Sequence, residues 1–155
     1  MSEAKKYQKR LLNYFWRQGV PYSESQDLVQ ETYLRLWKYR DEYQRLARMT
    51  TFLFLLARQV RIDALRSGIR RLRREEKWAK ERLTSVDPAT AEHEDIRWAL
   101  KKLTPPLREA VELVVFQDMS YVEAAALLGI PIGTLKSRMS NALRKLKEAF
   151  NEQGS

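Results

Sequence analysis

Near the C-terminus, the stretch "TLKSRMSNALRK" spaces Lys136, Ser137, Ser140, Asn141 and Arg144 so that a helix gathers them on one face. These side-chain types suit DNA. Arg and Lys donate to guanine edges and to phosphates, Asn pairs with adenine, and Ser serves either role. Arg138 lies on the same stretch and adds charge. Catalysis has no comparable footing. The chain has no cysteine, one histidine (His93) and acidic residues scattered over helical positions. No metal site, no cofactor and no small-molecule substrate are therefore expected, and a nuclease or other enzyme is disfavoured.

The residues before that face are those needed to hold it. Ser120 and Glu123 form a capping box that opens a short helix. Ala124 and Ala125 are small where a second helix must pass closely. Gly129 sits where a helix stops in the left-handed conformation. Ile130 plugs the turn and Pro131 forbids continuation. The chain restarts at Gly133-Thr134, with Thr134 expected as the N-cap of the next helix. Leu135, Met139, Ala142, Leu146 and Phe150 then form an apolar stripe toward a core. Two helices joined by so tight a turn make a helix-turn-helix, whose second helix enters the major groove. An ordinary helical hairpin with a solvated polar face is the alternative. The capping box, small pair, glycine, proline and charge together favour DNA.

Charge is distributed to match. The 155 residues carry a formal net charge of +9, which suits a polyanionic partner. Residues 94–130 are net −2 and residues 131–150 net +4, so positive charge gathers at the reading helix. The longest apolar run, Phe52 to Ala57, has six residues, against the roughly 20 that a membrane helix needs. "MSEAKKYQKR" has no apolar signal core. No membrane insertion and a cytoplasmic location are expected.

Apolar spacings of three and four dominate, and no run alternates with period two long enough for a strand. The fold class is therefore all-α. A first helix is expected from about Ala4 to Arg17, stopped at Gly19. Ser23 and Gln26 read as a capping box for a helix from about Glu24 to Tyr39. Thr50 or Thr51 caps a third, from Phe52 to about Arg66. Thr104-Pro105 opens another, through about Phe116. The organisation is two small helical domains, residues 1–72 and 94–152, joined by a flexible basic linker at residues 73–93.

One helix has more apolar surface than a single core face requires. In "DLVQETYLRLWKY", residues 27–39, Val29, Thr32, Tyr33 and Leu36 make one stripe. Asp27, Gln30, Glu31, Leu34 and Lys38 make a second continuous face, with Trp37 at its edge. From the residues alone, the favoured reading is that both stripes are buried within a bundle or that Leu34 is merely one exposed leucine.

These segments resemble those of bacterial RNA polymerase sigma factors of the extracytoplasmic-function (ECF) group. "LTPPLREAVELVVFQDMSYVEAAALLGIPIGTLKSRMSNALRKLKEAF" resembles the family's C-terminal DNA-binding domain, "DLVQETYLRLWKY" its core-binding helix, and "TFLFLLARQVRIDALRS" its promoter-melting helix. They occur in the family's order and spacing, over almost the whole chain apart from the linker and the extreme N-terminus. The resemblance implies a transcription initiation factor that binds core RNA polymerase, directs it to promoters and assists strand opening. Asp27, Gln30, Glu31, Leu34, Trp37 and Lys38 would then grip the clamp coiled coil of the largest polymerase subunit, as an apolar centre with a polar rim.

The same resemblance assigns the third helix and the loop before it, about Gln44 to Thr51, to the minus-ten element. Arg45, Arg48, Arg58, Arg61 and Arg66 would supply charge for the melted strand, and Phe52 or Tyr43 a stacking face. Thr134, Lys136, Ser137, Arg138, Ser140, Asn141 and Arg144 would read the double-stranded minus-thirty-five element. An anti-sigma factor that occludes these surfaces is a further implied partner. Two departures from the family pattern leave the captured base unidentified: Phe52 stands where many relatives carry tryptophan, and the loop is short and Arg-rich. An autonomous helix-turn-helix regulator and a sigma mimic that sequesters an anti-sigma factor are the alternatives. The first lacks a spare dimerisation helix. The second has no need of Lys136, Arg138, Arg144 and Lys145, which are all present.

Overall fold

The computed structural model describes residues 2–42, 48–68 and 94–154. They include α1 (Ser2–Arg17), α2 (Tyr22–Lys38), α3 (Met49–Ser67), α4 (Glu94–Lys101), α5 (Pro105–Val111), α6 (Tyr121–Leu128) and α7 (Ile132–Gly154), with a short helical stretch at residues 40–42 and, among the described residues, no strand. The chain groups into two compact units. One holds α1 as far as Trp16, with α2 and α3; the other holds α4 to α7, with residues 17–19 grouped to it. The linker, residues 73–93, lies outside the described residues, as do Tyr43, Gln44 and Arg45 of the loop before α3. No described helix is long and apolar enough to cross a membrane.

In the first unit, Leu11, Tyr14 and Phe15 of α1 are buried with Val29 of α2 and Phe52, Leu53, Phe54, Leu56, Ala57 and Val60 of α3. Tyr14 meets Phe54 edge-on, with ring centroids 5.5 Å apart. α1 ends as its glycine requires. Gly19 has φ +92°, and the Val20 N–H closes back on the Phe15 carbonyl at 3.0 Å. α2 packs against α3 through a face that includes two fully buried hydroxyls, Ser25 and Thr32. Both donate to carbonyls of their own helix, Ser25 to Pro21 at 3.1 Å and Thr32 to Leu28 at 2.7 Å. They therefore enter the core without an unmet hydrogen bond. Arg35 of α2 reaches Asp63 of α3 at 2.9 Å.

In the second unit, α7 packs on α5 and α6. Leu135, Met139 and Ala142 are buried against Leu107, Ala110, Val111, Ala124, Ala125 and Leu127. The Arg108 guanidinium donates to the carbonyls of Leu100 at 3.1 Å and Leu103 at 3.0 Å, satisfying acceptors at the C-terminal end of α4. α5 continues into a π-helical turn, Glu112–Phe116, closed by the Gln117 N–H on the Glu112 carbonyl at 3.0 Å. The expected helix to Phe116 exists, but its last turn is widened.

Three expected helix starts move upstream. α2 begins at Tyr22 with Pro21 at the N-cap position, so Ser23 and Gln26 lie inside the helix. α3 begins at Met49 with Arg48 at the N-cap, which places Thr50 and Thr51 in the first turn. α7 begins at Ile132, and the Pro131 carbonyl accepts from the Leu135 N–H at 3.1 Å. Thr134 is therefore a first-turn residue and not the N-cap. In α2 and α7 a proline stands directly before the helix. Its fixed φ sets the chain's entry before any hydroxyl side chain is reached. A fourth correction concerns the end of α7. Ala149 is buried there, whereas Phe150 is 46% exposed. On an ideal helix both lie about 50° from the centre of the stripe, so spacing alone does not choose between them.

Candidate functional site

Two surfaces gather the residues singled out by their chemistry. The first is a ridge on α2. Asp27, Gln30, Glu31, Leu34, Trp37 and Lys38 are all exposed, with Leu34 at 64% and Trp37 at 68%. The opposite stripe is spent on the core: Val29 and Thr32 are buried, Tyr33 and Leu36 half-buried. Burial of both stripes is therefore excluded. Two large apolar groups stand in water on a rim of charged and amide side chains, which is how an anchor for a partner looks before the partner arrives.

Neighbouring charges hold this ridge in shape. Glu31 accepts from Arg35 at 3.3 Å, one turn on, and Arg35 is tied in turn to Asp63. Burial pulls the Arg35 guanidinium's pKa down, but the hydrogen bonds and charges of Asp63 and Glu31 outweigh it and leave the net shift upward. Arg40, just past the end of α2, lies with its guanidinium carbon 4.1 Å from the Trp37 ring centroid. Its position three residues beyond a tryptophan at a helix end was the available signal, and the family pattern gave it no role.

The second surface is α7 within the helix-turn-helix. Ser120 caps α6: the Glu123 N–H donates to its Oγ at 3.1 Å, and the hydroxyl donates to Glu123 Oε1 at 3.2 Å. Gly129, at φ +68°, turns the chain. The Gly129 N–H meets the Ala126 carbonyl at 3.2 Å and the Ile130 N–H meets that of Ala125 at 3.0 Å, a paired closure available because glycine accepts the left-handed region. Ala124 and Ala125 are buried where α7 passes. Thr134, Lys136, Ser137, Ser140, Asn141 and Arg144 are exposed and Arg138 is half-buried. Arg144 lies 3.4 Å from Asn141 Oδ1, so those two side chains share one patch. The arrangement suits a groove of duplex DNA.

α3 divides its predicted residues differently. Arg48 and Arg66 are exposed and Arg58 is half-buried. Phe52, expected as a stacking face, is only 6% exposed and belongs to the core. Arg61, expected to supply charge to a melted strand, is 7% exposed, and its Nε donates to the Tyr14 hydroxyl at 3.2 Å. Both corrections have one cause. They lie on opposite sides of α3, nine residues apart, and each is covered by the packing of its unit, which the pattern of α3 does not encode. Arg45 and Tyr43 fall outside the described residues.

Comparison with known proteins gives these surfaces a context. Residues 4–76 match the family model Sigma-70 region 2, and residues 93–146 match Sigma-70, region 4. The ECF RNA polymerase sigma factor EcfG of Rhodopseudomonas palustris (strain TIE-1) is 38% identical over 135 residues, covering 83% of this chain and 72% of that protein. The ECF RNA polymerase sigma factor SigE of Mycolicibacterium smegmatis (strain ATCC 700084 / mc(2)155) is 30% identical over 147 residues, covering 85% of this chain and 54% of that protein. Among solved structures, the sigma factor RpoE from Bartonella quintana, crystallised with the anti-sigma factor NepR, is similar with a TM-score of 0.79 and 26% identity, over 97% of this chain and 95% of that one. CnrH in complex with the cytosolic domain of CnrY is similar in fold, with a TM-score of 0.74 and 22% identity, over 97% of this chain and 86% of that one.

Proposed function

This chain belongs to the ECF sigma factors of RNA polymerase, and from that membership we propose that its two units divide the work between polymerase and promoter. It is a transcription initiation factor that binds core RNA polymerase and promoter DNA, rather than a catalytic enzyme. Residues 1–72 grip the polymerase and take the minus-ten element. Residues 94–152 dock on the minus-thirty-five element, and residues 73–93 span the distance between them.

The observation that carries this reading is the uncovered ridge of α2. Leu34 and Trp37 are its anchors for the clamp coiled coil of the largest subunit, with Asp27, Gln30, Glu31 and Lys38 as the polar rim. At the minus-ten element, Arg48, Arg58 and Arg66 supply charge, and the family pattern alone adds Arg45 and Tyr43 to them. Phe52 and Arg61 support that surface from within. The chain performs no chemistry of its own. Strand opening draws on binding energy, as captured single strand and polymerase contacts offset the lost base stacking. At the upstream element, Thr134, Lys136, Ser137, Arg138, Ser140, Asn141 and Arg144 meet the bases and phosphates of the duplex.

An anti-sigma factor is the natural restraint on such a chain. The ridge offers it an exposed apolar target, and the similar RpoE structure is that of a sigma factor held by one. The site of action is the cytoplasm, where bacterial polymerase works. Run-off transcription by core polymerase over a promoter library, with and without this chain, tests the proposal. Specific initiation that depends on the chain is expected. Transcripts indifferent to its presence would reject the assignment.

A further inference from the structure

Arg40 makes two contacts with one residue. Its guanidinium lies 4.1 Å from the Trp37 ring centroid, and its Nη1 donates to the Trp37 carbonyl at 2.6 Å. The carbonyl is one of the last acceptors of α2, where partners within the helix run out and positive charge is favoured. The same planar group is thus anchored to the backbone of Trp37 and laid against its side chain. That geometry restrains the indole. The restraint matters because Trp37 is 68% exposed and has no packed surroundings to select a rotamer for it. An anchor residue free to turn must be ordered when it binds, and that ordering subtracts from affinity.

We propose that Arg40 is a positioning residue of the ridge: it pre-sets the Trp37 indole in the conformation that the partner receives. This rests on the ridge being the polymerase site. It also describes the receiving surface. One face of the indole enters an apolar pocket while the guanidinium covers the other, and their attraction strengthens as water leaves. A guanidinium has five N–H donors and the Trp37 carbonyl takes one. The remainder face solvent, and Arg40 acts on the partner through the indole alone. Lysine matches the charge but not the plane.

The test titrates core polymerase with full-length Arg40→Ala, Arg40→Lys, Trp37→Ala and the Arg40→Ala/Trp37→Ala pair, and follows the Trp37 indole N–H by NMR in the free protein. Arg40→Ala is expected to weaken binding about fivefold. It is expected to increase indole mobility, read as a lower heteronuclear NOE, while the backbone amides of α2 keep theirs. In the Trp37→Ala background the same change should have no further effect, and Arg40→Lys should recover only part of the loss. An equal penalty with and without Trp37 overturns the proposal, because Arg40 then acts on the polymerase directly. An unaltered indole, or full recovery with lysine, overturns it too. Leu34→Ala separates the two levels. Intact binding in that variant removes the ridge itself, whereas weakened binding beside a silent Arg40→Ala removes only the positioning role.

Discussion

Replacing Leu34 and Trp37 together by alanine isolates what the ridge contributes. Leu34 is 64% exposed and Trp37 68% exposed, so truncation falls on binding and leaves the fold nearly untouched. A large aromatic side chain offers about 200 Å². Two-thirds of that, at about 25 cal/mol per Å², gives roughly 3.5 kcal/mol for Trp37. The same treatment of a leucine gives about 1.5 kcal/mol. A partner that covers both completely thus gains about 5 kcal/mol, from which ordering the two side chains subtracts about 1 kcal/mol each. The net loss is about 3 kcal/mol, or a Kd weakened roughly 150-fold. The assay is a titration of labelled core polymerase at one fixed salt concentration. Thermal melting followed by circular dichroism serves as the control, since exposed substitutions shift stability by no more than about 0.5 kcal/mol. A Kd within about threefold of the parent chain, at unchanged helicity, refutes the reasoning.

Three further outcomes are expected. Arg144→Ala weakens binding to an upstream-element duplex and makes the slope of log K against log salt shallower by about 0.9, as one released phosphate contact requires; an unchanged slope rejects that contact. Arg61→Ala lowers stability by about 2 kcal/mol, since it removes a buried hydrogen bond to Tyr14, and leaves the salt slope of minus-ten binding alone, whereas Arg66→Ala does the reverse. Gly129→Ala meets no neighbouring atom within 4 Å of the new Cβ, yet it must hold φ +68°, so its cost is the left-handed backbone alone, about 1 kcal/mol, seen as a lower urea midpoint for the second unit.

The helix-turn-helix was the most legible part of the chain. Gly129 and Gly19 mark helix ends because a positive φ is a property of one residue, and both occur at φ above +60°. Ser120 was legible because its partner, Glu123, is three residues away. Ser23, Thr50, Thr51 and Thr134 misled for the complementary reason: each is a competent cap, but the chain had already entered its helix upstream, in two cases after a proline. At the sites, exposed Leu34 and Trp37 followed from the family pattern and not from periodicity, which favoured burial. Phe52 and Arg61 were misassigned because the residue that meets Arg61 is Tyr14, 47 positions away.

By itself, then, the order of residues determined what depends on neighbours within about one turn: the helical period, the glycine stops, the Ser120 cap and the polar face of α7. It also placed two apolar stripes on α2. Only the assembled helices decided between those stripes. α3 closes over the side of Val29 and Thr32 and leaves Leu34 and Trp37 in water. Burial belongs to pairs of elements distant along the chain, and no local pattern contains the partner.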